Sequence, residues 1–140
     1  MVEIYSEVKK GLLLHIIWRK DDFNNMDSFR KDLIAPDNFI QCSALNMEKG
    51  KTFKPHKHIY KTRTWDDVIA QESWVVIQGR VRCTFYDIDG TMIARPMLEQ
   101  GDASFTLHGG HTYKALDDNT IVYEYKTGPY EGQEFDKTFI

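Results

Sequence analysis

Two histidines separated by a single residue, His56 and His58, have the spacing of a metal-binding pair. Residues two apart on a β-strand point to the same face, so both imidazoles project into one space and their neutral nitrogens can reach one ion. A glutamate would add a charged oxygen ligand, and a third histidine would complete a set of four that leaves room for water or a substrate. The pair therefore indicates a site for one divalent metal ion, and these ligand types suit zinc, iron, manganese or nickel.

The third histidine has two candidates, because His108 and His111 flank the Gly109-Gly110 pair. Two consecutive glycines can change the facing of the residues that follow, so strand alternation does not decide between the two histidines. We favour His111, since it begins the segment that re-enters the predicted sheet.

Short strands separated by turn residues are expected to position these groups. At most one short helix is expected, over Asn25 to Leu33, and this pattern predicts an all-β sandwich or barrel. We expect a hairpin of Ser73–Gln78 and Val81–Asp87 around Gly79, and a long loop over residues 59–71. The strands predicted beyond this hairpin are Leu12–Trp18, Phe39–Asn46, Thr91–Pro96, Ala103–Leu107 and Ile121–Lys126.

The bulk properties fit one globular domain spanning residues 1–140. The net charge of −3 and the sequence pI near 5.9 argue against a nucleic-acid partner, which requires a basic face. The longest apolar run, Leu12 to Trp18, is too short to span a bilayer. The polar N-terminus has no apolar signal-peptide core, and Cys42 and Cys83 have no paired-motif spacing. We therefore expect a cytoplasmic protein with reduced thiols.

The spacing of glycines around these residues resembles the two sequence blocks of the cupin superfamily. Five residues separate Gly50 from His56, six separate Glu72 from Gly79, and Gly101 opens a second block containing His111. The resemblance implies a cupin-type jelly-roll β-barrel whose metal-binding core covers about residues 39–128. It also implies that four residues bind the metal ion, namely His56, His58, Glu72 and His111. The thirteen residues between His58 and Glu72 make this segment longer than in the cupin pattern, and His108 stays a rival for the fourth ligand.

From about Gly11 to Phe139 the chain resembles a subgroup of small bacterial cupins. Those proteins are often encoded among genes for surface-polysaccharide or sialic-acid-type sugar synthesis. The segments that carry this resemblance are FKPHKH, QESWVVIQGRVRCTFYDIDG and LHGGHTYKALDDNTIVYEYKTGPYEG. The resemblance implies a fold and a metal site but no substrate. We expect a small-molecule substrate, and a homodimer because small cupins are frequently dimers.

Three residues near the expected site are candidates for substrate binding. Arg63 lies in a basic loop that is expected at the mouth of the site, and this loop is either simply solvated or a lid that binds a phosphate or carboxylate. Trp74 lies two residues beyond Glu72 and is expected on the same face, where it either lines the site or fills the core. Arg82 either faces the same cavity or points outward into solvent.

The last strand and its neighbour offer further candidates. Tyr113 and Lys126 are expected to contact a substrate, and Glu124 or Tyr123 to move a proton. Alternation places Tyr123 and Tyr125 on one face of the strand, with Glu124 and Lys126 on the other. The ordinary outcome is that the tyrosines are buried and the charged pair is exposed, because buried charges are costly. The alternative is that the charged pair lines the cavity as an acid–base couple.

These observations favour metal-assisted isomerisation or epimerisation of a small carbohydrate or sugar nucleotide, with the metal acting as a Lewis acid. An Fe(II)-dependent dioxygenase is the enzymatic alternative, because three histidines and a glutamate also suit iron. A non-catalytic module that binds carbohydrate or metal is the third possibility.

Overall fold

The structure is a computed structural model that describes residues 1–35, 37–46, 48–49, 51–53, 55, 69–127 and 138–140. Within these ranges the regular structure is almost entirely β-strand, with one 3₁₀ helix at Lys20–Asn25. The prediction of an all-β fold is confirmed. In the same ranges no helix is long and apolar enough to cross a membrane.

Eleven strands are described. They are β1 (Val2–Tyr5), β2 (Leu13–Trp18), β3 (Arg30–Asp32), β4 (Ser43–Leu45), β5 (Glu72–Gln78), β6 (Val81–Tyr86), β7 (Met92–Ala94), β8 (Met97–Leu98), β9 (Ala103–Thr106), β10 (Gly110–Ala115) and β11 (Ile121–Lys126). The first sheet has the order β1-β2-β9-β5-β11, and the second has the order β10-β6-β7, with β8 also paired to β6. Strands β3 and β4 form a separate two-stranded sheet, and all these pairings are antiparallel. Neither large sheet closes on itself within the described residues.

The five-stranded sheet buries apolar side chains on both faces. Its inner face packs against the second sheet, and that core contains Ile17 and Val76 together with Phe85 from β6. Its outer face, which includes Trp18 and Phe105, packs against the segment that contains β3 and β4. Because successive residues of a strand point to opposite faces, each central strand supplies both cores.

The register aligns four polar residues in a row across the inner face. Lys126 lies opposite Glu72, Glu72 opposite Thr106, and Thr106 opposite His15. Directly opposed residues in an antiparallel pair point to the same side of the sheet. We call these four residues the inner polar row. It ends at the edge strand β11 and faces the second sheet.

The predicted hairpin of β5 and β6 is wrong. Strand β5 pairs with β9 and β11, whereas β6 pairs with β10, β7 and β8, so the turn after β5 carries the chain from one sheet to the other. Gly79 makes this passage with a φ of +80°, and a Cβ at that position would lie 2.7 Å from the Thr120 hydroxyl oxygen. The residue types of the two segments predict that both are strands. They carry no information on which strands pair with each other.

The helix predicted over Asn25 to Leu33 is also wrong. The chain forms the 3₁₀ turn at Lys20–Asn25 and then strand β3, whose residue Lys31 pairs with Ala44. The backbone amide of Leu33 continues this pairing by donating to the carbonyl of Cys42 at 2.9 Å. Weak local helix preference is overridden because the segment covers the outer face of the large sheet.

Candidate metal centre

Glu72 and His111 meet between the two large sheets. Glu72 is the first residue of β5, and His111 is the second residue of β10 in the opposite sheet. The Oε1 atom of Glu72 lies 3.1 Å from Nε2 of His111, and the two side chains are 13% and 23% exposed, respectively. Two residues predicted to bind one ion are therefore in contact, although different sheets supply them.

The pairing of β10 explains why His111 points inward. His111 lies opposite Phe85, and Tyr113 lies opposite Cys83. Phe85 and Cys83 belong to the core between the sheets, so their cross-strand partners face the same space. Gly109, with a φ of +74°, turns the chain immediately before this strand.

His108, the rival for this position, lies on the other side of that turn. Its backbone amide donates to the carbonyl of Leu14 at 3.3 Å. Burial lowers the pKa of the half-buried imidazole, and the positive charge of Lys9 lowers it further. Within the described part of the chain, no hydrogen bond or ion pair joins His108 to Glu72, so the structure brings only His111 of this pair to the carboxylate.

The other predicted ligands, His56 and His58, lie outside the described residues, as does Arg63 in the predicted basic loop. In the part of the chain that is described, no group of three or more His, Cys, Asp and Glu side chains is arranged to hold a metal ion. Glu72 and His111 are thus a pair, and the complete ligand set is still a prediction from the sequence.

Trp74 connects the site to a second carboxylate. Its indole Nε1 lies 3.0 Å from Oε1 of Glu72 and 3.1 Å from Oε2 of Glu124, and it donates to both. The indole ring stacks on Tyr113 with ring centroids 4.1 Å apart. The expectation that Trp74 shares a face with Glu72 agrees with this geometry. One N–H group thereby holds two carboxylates on the same side of the sheet.

Tyr113 closes the space between the sheets beside His111. Its hydroxyl group lies 3.2 Å from the Ser104 hydroxyl, and its ring centroid is 5.0 Å from that of His111. Burial raises the pKa of the Tyr113 hydroxyl well above its usual range, because the phenolate would lose its solvation. The hydroxyl is therefore protonated at neutral pH and serves as a hydrogen-bonding group.

His15 extends the inner polar row and is a residue that the sequence reasoning missed. The imidazole is fully buried, stacks on Phe85 with centroids 4.2 Å apart, and has Nδ1 3.1 Å from the Thr106 hydroxyl oxygen. Burial lowers the pKa of His15 to about 4, so the ring is neutral at pH 7. The available signal was its place in the apolar strand β2, one residue away from Ile16 and two from Ile17.

Strand β11 reverses the ordinary expectation for its side chains. Tyr123 and Tyr125 are each 57% exposed, whereas Glu124 lies opposite Trp74 and Lys126 lies opposite Glu72 on the inner face. Tyr123 was predicted to move a proton, and the structure does not bring it to the site. The tyrosines thus lie exposed on the outer face, and Glu124 accepts the hydrogen bond of Trp74 on the inner face.

Arg82 is also placed away from the site. On β6 the buried residues are Val81, Cys83 and Phe85, so Arg82 points to the opposite face of the second sheet. Its guanidinium Nη1 lies 3.4 Å from the carbonyl oxygen of Arg95. The structure therefore does not bring Arg82 to the space that holds Glu72, and its facing agrees with the alternative of an outward guanidinium.

The donor set at Glu72 and His111 fits a divalent metal ion. A carboxylate oxygen and an imidazole nitrogen are typical zinc, iron and manganese ligands, and ligands at about 2.0–2.2 Å from one ion lie roughly 3 Å apart. The Nδ1 atom of His111 is buried and has no hydrogen-bond partner among the described residues. Nε2, the nitrogen in contact with Glu72, is the one that would bind an ion shared with this carboxylate.

In comparisons with known proteins, no protein-family model, curated protein or solved structure matches this chain. The cupin assignment therefore stays a prediction from the sequence, beside a fold that is all-β.

Proposed function

We propose that this chain is a metal-binding protein of the cupin type, with a jelly-roll barrel and one divalent ion bound by His56, His58, Glu72 and His111. One observation carries the proposal: Glu72 Oε1 and His111 Nε2 lie 3.1 Å apart although the two residues belong to opposite sheets. A glutamate and a histidine from separate sequence blocks converge as the cupin pattern requires. The His56–His58 pair, with its same-face spacing, supplies the remaining ligands.

We propose further that the protein isomerises or epimerises a small carbohydrate or sugar nucleotide. The metal ion, when bound, would polarise a carbonyl or hydroxyl group of the substrate. Glu124 is exposed on the inner face beside the site and accepts a hydrogen bond from Trp74, so its carboxylate can remove a proton next to a carbonyl and return it. Trp74 and Tyr113 form an aromatic wall next to this carboxylate, and Lys126 lies opposite Glu72.

Metal titration of the chelator-treated protein tests the site. We expect one Zn²⁺ or Mn²⁺ per chain in the wild type, and at least a roughly hundredfold weaker affinity in Glu72→Gln and His111→Asn, since each removes one direct ligand. His58→Ala should lose the metal as well. His108→Asn is the matched control and should bind as the wild type does. Wild-type protein that takes up no metal, or equal affinity in the His111 and His108 variants, would contradict the site.

Turnover separates the possible activities of this site. With a keto-sugar in heavy water, an isomerase exchanges a carbon-bound proton with solvent, and Glu124→Gln should slow that exchange at least about a hundredfold. Oxygen consumption by the iron-loaded protein would instead support the dioxygenase. Saturable sugar binding with neither reaction would support a non-catalytic module.

A further inference from the structure

A cavity of about 400 Å³ lies on the outer face of the five-stranded sheet. Its floor includes Val75 and Ala103, and its other side is formed by the chain around Cys42 and Ala44. The cavity is thus on the opposite side of β5 from Glu72 and is separated from the candidate metal centre by the sheet itself. Tyr125 also lines the cavity and is more than half exposed, so it marks the opening to solvent.

The lining is apolar and uncharged. Most of it consists of aliphatic, aromatic or small side chains, among them Phe23, Leu33 and Phe105, and none of the described residues that line it is charged. A metal ion, a phosphate or a sugar nucleotide would lose its solvation here without a charged partner. An uncharged, mainly apolar molecule would lose little solvation free energy on entering the cavity.

Two residues that line the cavity each carry a buried polar atom with no hydrogen-bond partner within the described residues. These atoms are the indole Nε1 of Trp18 and the hydroxyl oxygen of Ser73. The two residues are only 3% and 2% exposed, respectively. Buried N–H and O–H groups nearly always have a partner. Two such groups at one cavity need a hydrogen-bonding partner from outside the described residues.

We propose that this cavity binds a small, neutral, mainly apolar organic molecule that carries a hydrogen-bond acceptor for Trp18 or Ser73. Apolar cavities of about 150 Å³ stay dry and bind benzene, and ligand pockets in general begin at about 300 Å³. A cavity of about 400 Å³ accommodates a two-ring or similar aliphatic molecule. A docking protein segment fits less well, because the walls include residues as deeply buried as Phe105 and Ala44. The ligand is therefore of a different class from the substrate proposed for the metal centre.

The first test uses prodan, a neutral naphthalene with a ketone acceptor whose emission shifts to the blue in apolar surroundings. We expect saturable binding of one prodan per chain. Val75→Phe fills the cavity and should weaken binding at least about tenfold. Ile77→Phe is the control, because it introduces the same side chain on β5 at a 38% exposed residue outside the cavity lining. Circular dichroism and thermal unfolding establish that both variants are folded.

A second measurement needs no variant. Cys42 lines the cavity, whereas Cys83 is fully buried in the core between the sheets. Burial raises the pKa of the Cys42 thiol, so alkylation by iodoacetamide is slow enough to follow by mass spectrometry at pH 8.5. Saturating prodan should slow the modification of Cys42 by at least about fivefold, because the probe occupies the space that the reagent must enter.

The proposal is overturned by an absence of saturable prodan binding, by equal affinity in the Val75 and Ile77 variants, or by unchanged alkylation of Cys42 at saturation. If the Val75 variant does not fold, the protection of Cys42 decides alone.

Discussion

The two faces of the five-stranded sheet differ in chemistry although the same strands build them. On the inner face the inner polar row brings His15, Thr106, Glu72 and Lys126 toward the second sheet. On the outer face, three residues along from His15, Thr106 and Glu72, the residues Trp18, Ala103 and Val75 line an apolar cavity. Alternation therefore lets a single strand such as β5 contribute a candidate metal ligand and a hydrophobic wall independently.

We expect metal binding and stability to be separable in this sheet at the positions compared here. Residues of the outer face are expected to affect folding, and residues of the inner face near Glu72 to affect metal binding, because functional groups are commonly held at little benefit to stability. Four substitutions test that separation.

Removing an aromatic ring from the outer face has the largest expected effect. Phe105 is 2% exposed and belongs to the outer core, so Phe105→Ala should lower the free energy of unfolding by about 3–5 kcal/mol through lost burial and a cavity. Urea unfolding measures the change. Folded protein should still bind one metal ion per chain at low temperature. Ile77→Ala, at an exposed position of the neighbouring strand β5, is the control, and an equal loss there would contradict the assignment of the core.

Protonation of His15 has the second-largest expected effect on the free energy of unfolding. Because burial lowers the pKa of His15 from 6.5 to about 4, the unfolded state binds the proton more readily than the folded state at intermediate pH. Stability contributed by the neutral ring is present above pH 6.5 and is lost as the pH falls toward 4. The two-and-a-half-unit difference corresponds to about 3 kcal/mol at most.

The variant His15→Gln isolates this contribution, since other groups titrate in both proteins. With chelator present, urea unfolding at pH 6.5 and pH 4.5 should show a larger loss in the wild type than in the variant. Parallel losses would show that His15 is not held neutral by the fold.

Glu72→Gln should have little effect on the stability of the metal-free protein. The amide is nearly isosteric and keeps an oxygen acceptor for the indole of Trp74, so we expect a change of less than about 1 kcal/mol in the free energy of unfolding. Equilibrium unfolding in chelator measures it. A loss as large as that of Phe105→Ala would mean that the inner face also carries the stability of the sheet at this position.

Tyr123→Phe is expected to have no measurable effect on metal affinity or proton exchange. Its side chain is on the outer face and exposed, whereas the neighbouring Glu124 is on the inner face. The pair of Tyr123→Phe and Glu124→Gln therefore compares the two faces at adjacent positions. Slower proton exchange in the Tyr123 variant would reverse the assignment of faces in β11.

Much of the strand pattern was predictable from the sequence. The segment Ile121–Lys126 is a strand with the same bounds as predicted, and Leu12–Trp18 differs by one residue from β2. Runs of β-branched and apolar residues between turn residues specify such strands locally. Pairing is not local, so the partners of β5 and β6 could not be read from their alternation.

The residue types of the candidate site were easier to predict from the sequence than the directions in which its side chains point. His111 faces inward because β10 pairs with the buried Phe85 and Cys83, a fact of tertiary structure that the glycine pair conceals. From hydrophobicity alone, the ordinary expectation is that Tyr123 is buried. That expectation takes no account of the hydrogen bond from Trp74 to Glu124 on the inner face. The outer cavity had no sequence signal, since its walls come from separate segments of the chain.

An anomalous-scattering map of a crystal grown with Zn²⁺ or Mn²⁺ tests the central claim most directly. We predict one peak between the two sheets, about 2.0–2.2 Å from both Nε2 of His111 and a carboxylate oxygen of Glu72. His56 and His58 should complete its coordination. A map with no peak at this place, and with Glu72 and His111 still joined by a direct hydrogen bond, would contradict it.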